Sequence, residues 1–217
     1  DNTLAMAQAY SLKNQEEENE HEVVIVSEHD RGLYDAMNKG LARATGDYIV
    51  YLNAGDVFPS DQTLEQISIE VNNRSDGKLP AVLYGDTDIV DDEGQLLHPR
   101  RLAPPDNLTW RSFRHGMLVC HQAFYARTDI ARQTPYDMKY RFSADFDWCV
   151  RIMKKAEEME LPLADCGETI ADYMEEGTTT RNHNLLLKKS PSPRERKKNR
   201  KKDYAEKKKK KHKEKIK

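Results

Sequence analysis

The chain has 217 residues, with 35 Lys and Arg against 37 Asp and Glu, and is 37% hydrophobic and 33% charged. That length supports one sizeable domain and excludes several, while so polar a composition predicts that part of the chain stays out of the core. The part is easily located: residues 188–217 hold 17 basic and four acidic side chains, a net of +13, leaving 18 basic and 33 acidic residues over 1–187.

Leu4, Ala7, Gln8 and Leu12 fall on one face of a short helix that Asp1 or Thr3 is placed to cap. Residues 23–26 (Val-Val-Ile-Val) form a continuous apolar run, the pattern of a strand buried on both faces in a parallel sheet. Leu33, Ala36, Met37, Leu41 and Ala44 then make a helical stripe, Gly46 stands where a helix end favours a left-handed residue, and residues 48–52 read as the next strand. This succession predicts a right-handed βαβ unit and an α/β fold with a doubly wound, mostly parallel sheet. A helix over 60–71 with Leu64, Ile67 and Val71 inward, and a strand over 81–84, continue the theme. Asp91-Asp92-Glu93-Gly94 reads as a hairpin turn between Ile89-Val90 and Leu96-Leu97. Residues 118–125 suggest another strand and 143–159 a long helix, and the Pro/Ser break and Lys runs from Ser190 predict disorder.

No apolar run reaches the ~18 residues that span a bilayer, and the start lacks the basic and apolar regions of a signal peptide, so a cytoplasmic body is expected. Cys120, Cys149 and Cys166 are odd in number and lack CxxC spacing, which predicts reduced thiols rather than disulfides or a zinc knuckle. The histidines show no metal-ligand spacing. GxGxxG, GxxxxGK[ST] and GxSxG are all absent, which argues against nicotinamide enzymes, P-loop NTPases and α/β hydrolases.

In an open α/β sheet ligands bind beyond the carboxyl ends of the strands, which directs attention to residues 27–32, 53–56 and 85–86. Asp56, beside Gly55, has the chemistry to share Mg²⁺ or Mn²⁺ with phosphate oxygens; the competing reading is a Gly-Asp turn that merely ends a strand. Asp145 lies one helical turn before Cys149 on the inward face of the long helix, where the dipole favours an ionised carboxylate able to accept a proton from an alcohol. Ordinary first-turn capping is the alternative there. Asp147 is predicted to point elsewhere and to pair with Arg151 at i+4.

The stretch SEHDRGLYDAMNKGLARATGDYIVYLNAGD over residues 27–56 resembles the family 2 glycosyltransferases of GT-A fold, in particular the bacterial polysaccharide-assembly branch with its Asp-x-Gly-Ile-Tyr-Asp-Ala-Met-Asn-Lys-Gly and Leu-Asn-Ser-Gly-Asp patterns. Tyr84-Gly-Asp86, His121-Gln122, residues 144–147 (Ala-Asp-Phe-Asp) and residues 176–179 (Glu-Gly-Thr-Thr) extend the match over most of 1–187. The resemblance implies a nucleotide-diphosphate-sugar donor, a divalent cation (Mg²⁺ or Mn²⁺), a saccharide or lipid-linked acceptor, and direct displacement with inversion. It implies that Asp56 is the metal ligand within the 53–56 motif and Asp145 the catalytic base. It places Asp30, Arg31, Asp35, Asn38 and Asn53 on the donor side and Asp86, His121 and Asp147 on the acceptor side. Ala144 departs from the acidic residue usual before the base.

Asp1-Asn2-Thr3 resembles the end of the family's Asp-Gly-x-Ser-Thr-Asp-x-Thr motif, so a front strand, helix and strand that hold the nucleotide base are expected to be missing, along with the sheet's central strand. The expected organisation is therefore an incomplete GT-A-like domain over 1–187 and a basic tail over 188–217. Three readings of the tail stay open: a solvated run, phosphate contacts with nucleic acid, or peripheral contact with anionic lipid at the inner face of the plasma membrane. Nucleic-acid recognition is disfavoured because Tyr204 is the tail's one aromatic residue. The alternative to an enzyme is an inactive glycosyltransferase remnant whose polybasic tail dominates what it binds.

Overall fold

A computed structural model describes residues 2–17, 21–72 and 77–175. The segment 176–179, the expected boundary at 187 and the basic tail lie outside the described residues.

The chain folds as an α/β unit around an open sheet, as expected. Helix α1 (Thr3–Glu16) is followed by α2 (Leu33–Arg43), β1 (Tyr48–Ile49), α3 (Thr63–Asn72), β2 (Val82–Val90) and β3 (Leu96–Pro99). Two 3₁₀ turns (Trp110–His115 and His121–Ala123) lead into β4 (Phe124–Arg127), α4 (Thr128–Arg132), α5 (Ala144–Glu158) and β5 (Leu163–Met174). Strand β2 is the hub of a mixed sheet. It pairs antiparallel with β3 and β4 and parallel with β5, and β4 pairs antiparallel with β1.

Several local expectations are corrected. Residues 23–26 form no strand: Val24, Ile25 and Val26 are 67%, 36% and 48% exposed, and without a ladder partner among the described residues the apolar run does not close the βαβ unit. Strand β1 keeps two of its five expected residues, because only Tyr48 and Ile49 find partners, Arg127 and Ala126 on β4. Gly46 is not left-handed; α2 ends at Arg43 and Ala44 turns the chain into extended backbone. The strand expected over 118–125 begins at Phe124, after the second 3₁₀ turn. Helix α1 forms with Asn2 as its N-cap, and Leu4 and Leu12 stay exposed. In α3, Ile67 is buried but Leu64 faces solvent.

Helix α5 matches its expectation to within a residue at each end, because its stripe is unambiguous. Ala144, Trp148, Cys149, Ile152, Met153 and Ala156 all bury, and each large apolar side chain removed from water contributes ~1.5 to 3 kcal/mol. With Val82 and Leu83 of β2, Phe124 of β4 and Ile130 of α4 they form the core. The hairpin turn is also as expected: the Asp91 carboxylate accepts the N–H groups of Glu93 (3.1 Å) and Gln95 (2.7 Å). All three cysteines are free, and Cys120 and Cys149 are buried.

Candidate functional site

Helix α2 separates two hollows. One, of about 710 Å³, lies on the Leu33, Tyr34 and Met37 side and is closed by Asn53, His121 and Asp145. The other, of about 750 Å³, lies on the Ala36, Lys39 and Gly40 side and is bounded by Val24, Val26 and Asp30. The first brings together side chains from α2, the loop after β1, the second 3₁₀ turn and the start of α5, which are far apart in sequence.

Asp145 sits in the first turn of α5, half-buried, with the helix dipole favouring its charge. The Tyr34 hydroxyl donates to its Oδ1 at 3.3 Å across 111 residues of sequence. Burial first, and the Asp145 charge second, push the Tyr34 phenol up to about 12, so it stays a donor at neutral pH.

Aromatic rings pack behind Tyr34 and His121, which line the hollow. Tyr136 stacks on Trp148 at 4.9 Å and on Tyr34 at 5.5 Å, while His121 stacks on Tyr51 at 5.3 Å. His121 Nε2 and the Tyr136 hydroxyl oxygen are 2.5 Å apart. Burial lowers the His121 pKa to about 4 against the opposing pull of Asp145, so the imidazole is neutral at pH 7.

Asp56 does not line the hollow; it stands one hydrogen bond behind it. Its Oδ2 accepts from the Gln122 amide at 2.5 Å, and Gln122 itself faces the cavity. Its Oδ1 accepts the Met174 N–H at 3.2 Å, and Val57 bridges to Asp172 of β5 next door. A carboxylate offers about four lone-pair sites, of which two are used here, so Asp56 retains the hard-oxygen capacity that Mg²⁺ or Mn²⁺ requires from a single protein carboxylate. Among the described residues the three-carboxylate group is elsewhere: Asp91, Asp92 and Glu93, on the hairpin turn, bring ligand atoms within 4.8 Å of one another.

The other residues expected at the site are dispersed. Asp30 borders the second hollow and accepts the Gly32 N–H at 2.8 Å, shaping the turn into α2. Asp35 accepts the Arg31 N–H at 2.9 Å and pairs with Arg31 and Lys39; that N–H first, then the Arg31 guanidinium, hold its carboxyl below the usual range. Asn38 clamps the Tyr136 backbone on both sides, donating at 3.0 Å and accepting at 2.8 Å. Asp86 does not line the cavity, and burial followed by Asp165 and Asp88 pushes its carboxyl up. Asp147 bonds Arg151 at 2.7 Å, the i+4 pairing read from the sequence.

Sequence reasoning passed over Tyr34, Gln122, Arg100 and Arg101. Tyr34 and Gln122 sit inside motifs that were read for their neighbours. The Arg100-Arg101 pair follows β3 and lines the cavity. Arg100 is occupied by carbonyls, donating to Leu102 (2.5 Å), Met117 (2.7 Å) and Leu118 (3.4 Å), and Arg101 makes no ion pair with a described residue.

Residues 1–133 match the family described as Glycosyl transferase family 2. The chain belongs to that family. Among curated proteins, this family 2 chain is 29% identical over 138 residues to a PGL/p-HBAD biosynthesis glycosyltransferase of Mycobacterium bovis, covering 59% of this chain and 46% of that protein. It is 30% identical over 143 residues to an uncharacterized glycosyltransferase of Mycobacterium tuberculosis, covering 64% and 51%. It is 23% identical over 155 residues to the amylovoran biosynthesis glycosyltransferase AmsB of Erwinia amylovora, covering 69% and 49%. The chain thus spans about half the length of the curated relatives it matches.

Proposed function

We propose that this family 2 member transfers a sugar from a nucleotide-diphosphate-sugar to a saccharide or lipid-linked acceptor, with inversion at the anomeric carbon. The observation that carries the reading is Asp145: a carboxylate at a helix N-terminus, on the wall of a cavity that Tyr34, His121 and Asn53 of the 53–56 motif also line. In the proposed step Asp145 accepts the proton of the acceptor hydroxyl as its oxygen bonds to the anomeric carbon. The bond from that carbon to the diphosphate oxygen breaks on the opposite face, and the nucleoside diphosphate leaves. Tyr34 holds one oxygen of the base, and neutral His121 takes no part as an acid at pH 7. Arg101 supplies positive charge toward the departing diphosphate. Asp56, with Asn53 beside it, would hold a divalent cation, which when bound neutralises diphosphate charge. The comparison proteins named for PGL/p-HBAD and amylovoran biosynthesis support an acceptor drawn from glycolipid or polysaccharide assembly.

Among the described residues no helix is long and apolar enough to cross a membrane. The proposed place of work is the cytoplasmic face of the plasma membrane, with the +13 charge of residues 188–217 drawn to anionic lipid and nucleic acid not a partner.

Thermal melting with Mn²⁺ and a panel of uridine, guanosine and thymidine diphosphates tests the donor reading. A rise in melting temperature with one of them, lost in Asp56→Ala and kept in Asp145→Asn, is expected; no shift with any nucleotide overturns it. The inactive remnant is the second reading, favoured by the two hydrogen bonds that already engage Asp56 and by the 23–26 run, which has no ladder partner among the described residues. It predicts anion binding through 188–217 that is indifferent to Asp56→Ala.

A further inference from the structure

Between the buried Tyr136 and the buried Ala144 the chain runs through six exposed residues, 138–143 (Met-Lys-Tyr-Arg-Phe-Ser). Three are large and apolar, with Met138 42%, Tyr140 37% and Phe142 48% exposed, and cations alternate with them. The Lys139 ammonium lies 4.7 Å over the Tyr140 ring and the Arg141 guanidinium 5.5 Å over Phe142. Lys139 pairs with Asp137, and Arg141 makes no ion pair with a described residue.

Both ends of this loop are fixed. Tyr136 is stacked on Trp148 and held through its backbone by Asn38, and Ala144 starts α5 one residue before Asp145. Such a loop is presented by a rigid frame and leads directly into the first turn of α5, which carries Asp145. Isolated exposed apolar side chains are ordinary, but three within five residues, interleaved with cations, match what a headgroup boundary accepts: rings and a thioether below, ammonium and guanidinium at phosphate level.

We propose that loop 138–142 is an insertion point for an anionic phospholipid surface, on the segment that runs directly into α5 and Asp145. This extends the membrane-side part of the proposed function. Charge complementarity argues for that occupant. A soluble saccharide would call for free carboxylate or amide groups beside the rings, and the two nearby, Asp137 and Asn38, are engaged by Lys139 and by the Tyr136 backbone. A nucleic acid gives Met138 and Phe142 no apolar medium to enter. One shallow apolar contact anchors weakly on its own, and stable attachment takes two signals; the basic run at 188–217 is the second.

The test uses the full 217-residue chain and vesicles of phosphatidylcholine with roughly one-third phosphatidylglycerol, a composition that supplies the negative surface potential. In Phe142→Trp, vesicles should shift the added indole emission to the blue, and brominated acyl chains should quench it, beyond any change in the parent protein. Replacing Met138, Tyr140 and Phe142 together by Ser should weaken vesicle binding at least about tenfold, with melting temperature unchanged. Deleting 188–217 should weaken binding in a salt-dependent way while the indole shift persists at low salt. A silent indole on vesicles that the chain binds means that the tail alone attaches it, and overturns the proposal; so does equal binding by the triple variant. A blue shift with single-stranded RNA or a soluble oligosaccharide in place of vesicles overturns it as well. The melting response to Mn²⁺ and nucleotide, read on the same variants, reports separately on the glycosyltransferase reading.

Discussion

His121 shows how burial converts a titratable side chain into a pH-dependent element of stability. In the folded state it resists protonation down to about 4, whereas an unfolded chain takes up the proton near 6.5. Between those values the unfolded state binds more protons, so stability is full above pH 6.5 and falls as the pH drops toward about 4, by roughly 3 kcal/mol in all. Urea unfolding of the parent and His121→Gln at several pH values should show that slope in the parent and a flattened one in the variant. Asn38 illustrates a different role: its two hydrogen bonds to the Tyr136 backbone hold the buried aromatic packing behind the cavity, so Asn38→Ala is expected to cost about 1 to 3 kcal/mol. The same denaturant midpoints measure it. Both residues lie in or beside motifs the sequence displayed, but only their partners reveal that one lines the cavity and the other holds a loop.

Among the elements, the β2–β5 pair carries the most structural information. Gly85 lies where β2 and β5 approach closely, and a Cβ there would meet the Glu168 carbonyl oxygen at 2.5 Å. Backbone does not yield, so Gly85→Ala should destabilise by more than about 1 kcal/mol and resist rescue. At Gly55 the Cβ would meet the Met174 Cε at 2.1 Å, the end of a flexible chain, and the backbone is left-handed at φ 94°. Adding Met174→Ala to Gly55→Ala should therefore recover part of the loss, the clash but not the strain. Thermal melts of the two single variants and the double variant separate the cases. Electrostatics opposes this pair of strands: burial first, then Asp165 and Asp88, push the Asp86 carboxyl up, and burial followed by Asp88 does the same to Asp172. These raised carboxyls disfavour the folded state when ionised, and acidification through the carboxylate range relieves them. Asp88→Asn should raise the melting temperature at pH 7, with the gain shrinking near pH 4.

At the scale of the whole molecule, the charge is divided between an acidic 1–187 and a basic 188–217. Attraction of the basic run to an anionic surface is screened with a Debye length near 10 Å at 0.1 M salt. Sedimentation with anionic vesicles should therefore fall steeply between about 50 and 200 mM salt, leaving the loop's apolar contribution as the salt-insensitive remainder.

The family, the α5 stripe, the hairpin turn and the Asp147–Arg151 pair were legible in the residues because each is encoded locally, by a long motif, a 3.6-residue period or an i+4 spacing. Strand β5 was not, since Asp165, Gly167 and Glu168 interrupt its apolar pattern and its stability comes from pairing with β2. The run 23–26 failed in the opposite sense, with an ideal strand composition and no neighbour to pair with among the described residues. Sequence by itself determined which residue types are available and which local periods they favour. Only the tertiary structure decided that Asp145 meets Tyr34, that Gln122 stands between Asp56 and the cavity, and that Met138, Tyr140 and Phe142 stay exposed. Those outcomes depend on contacts between segments far apart in the chain, and a local pattern specifies which face is apolar without specifying what that face will meet.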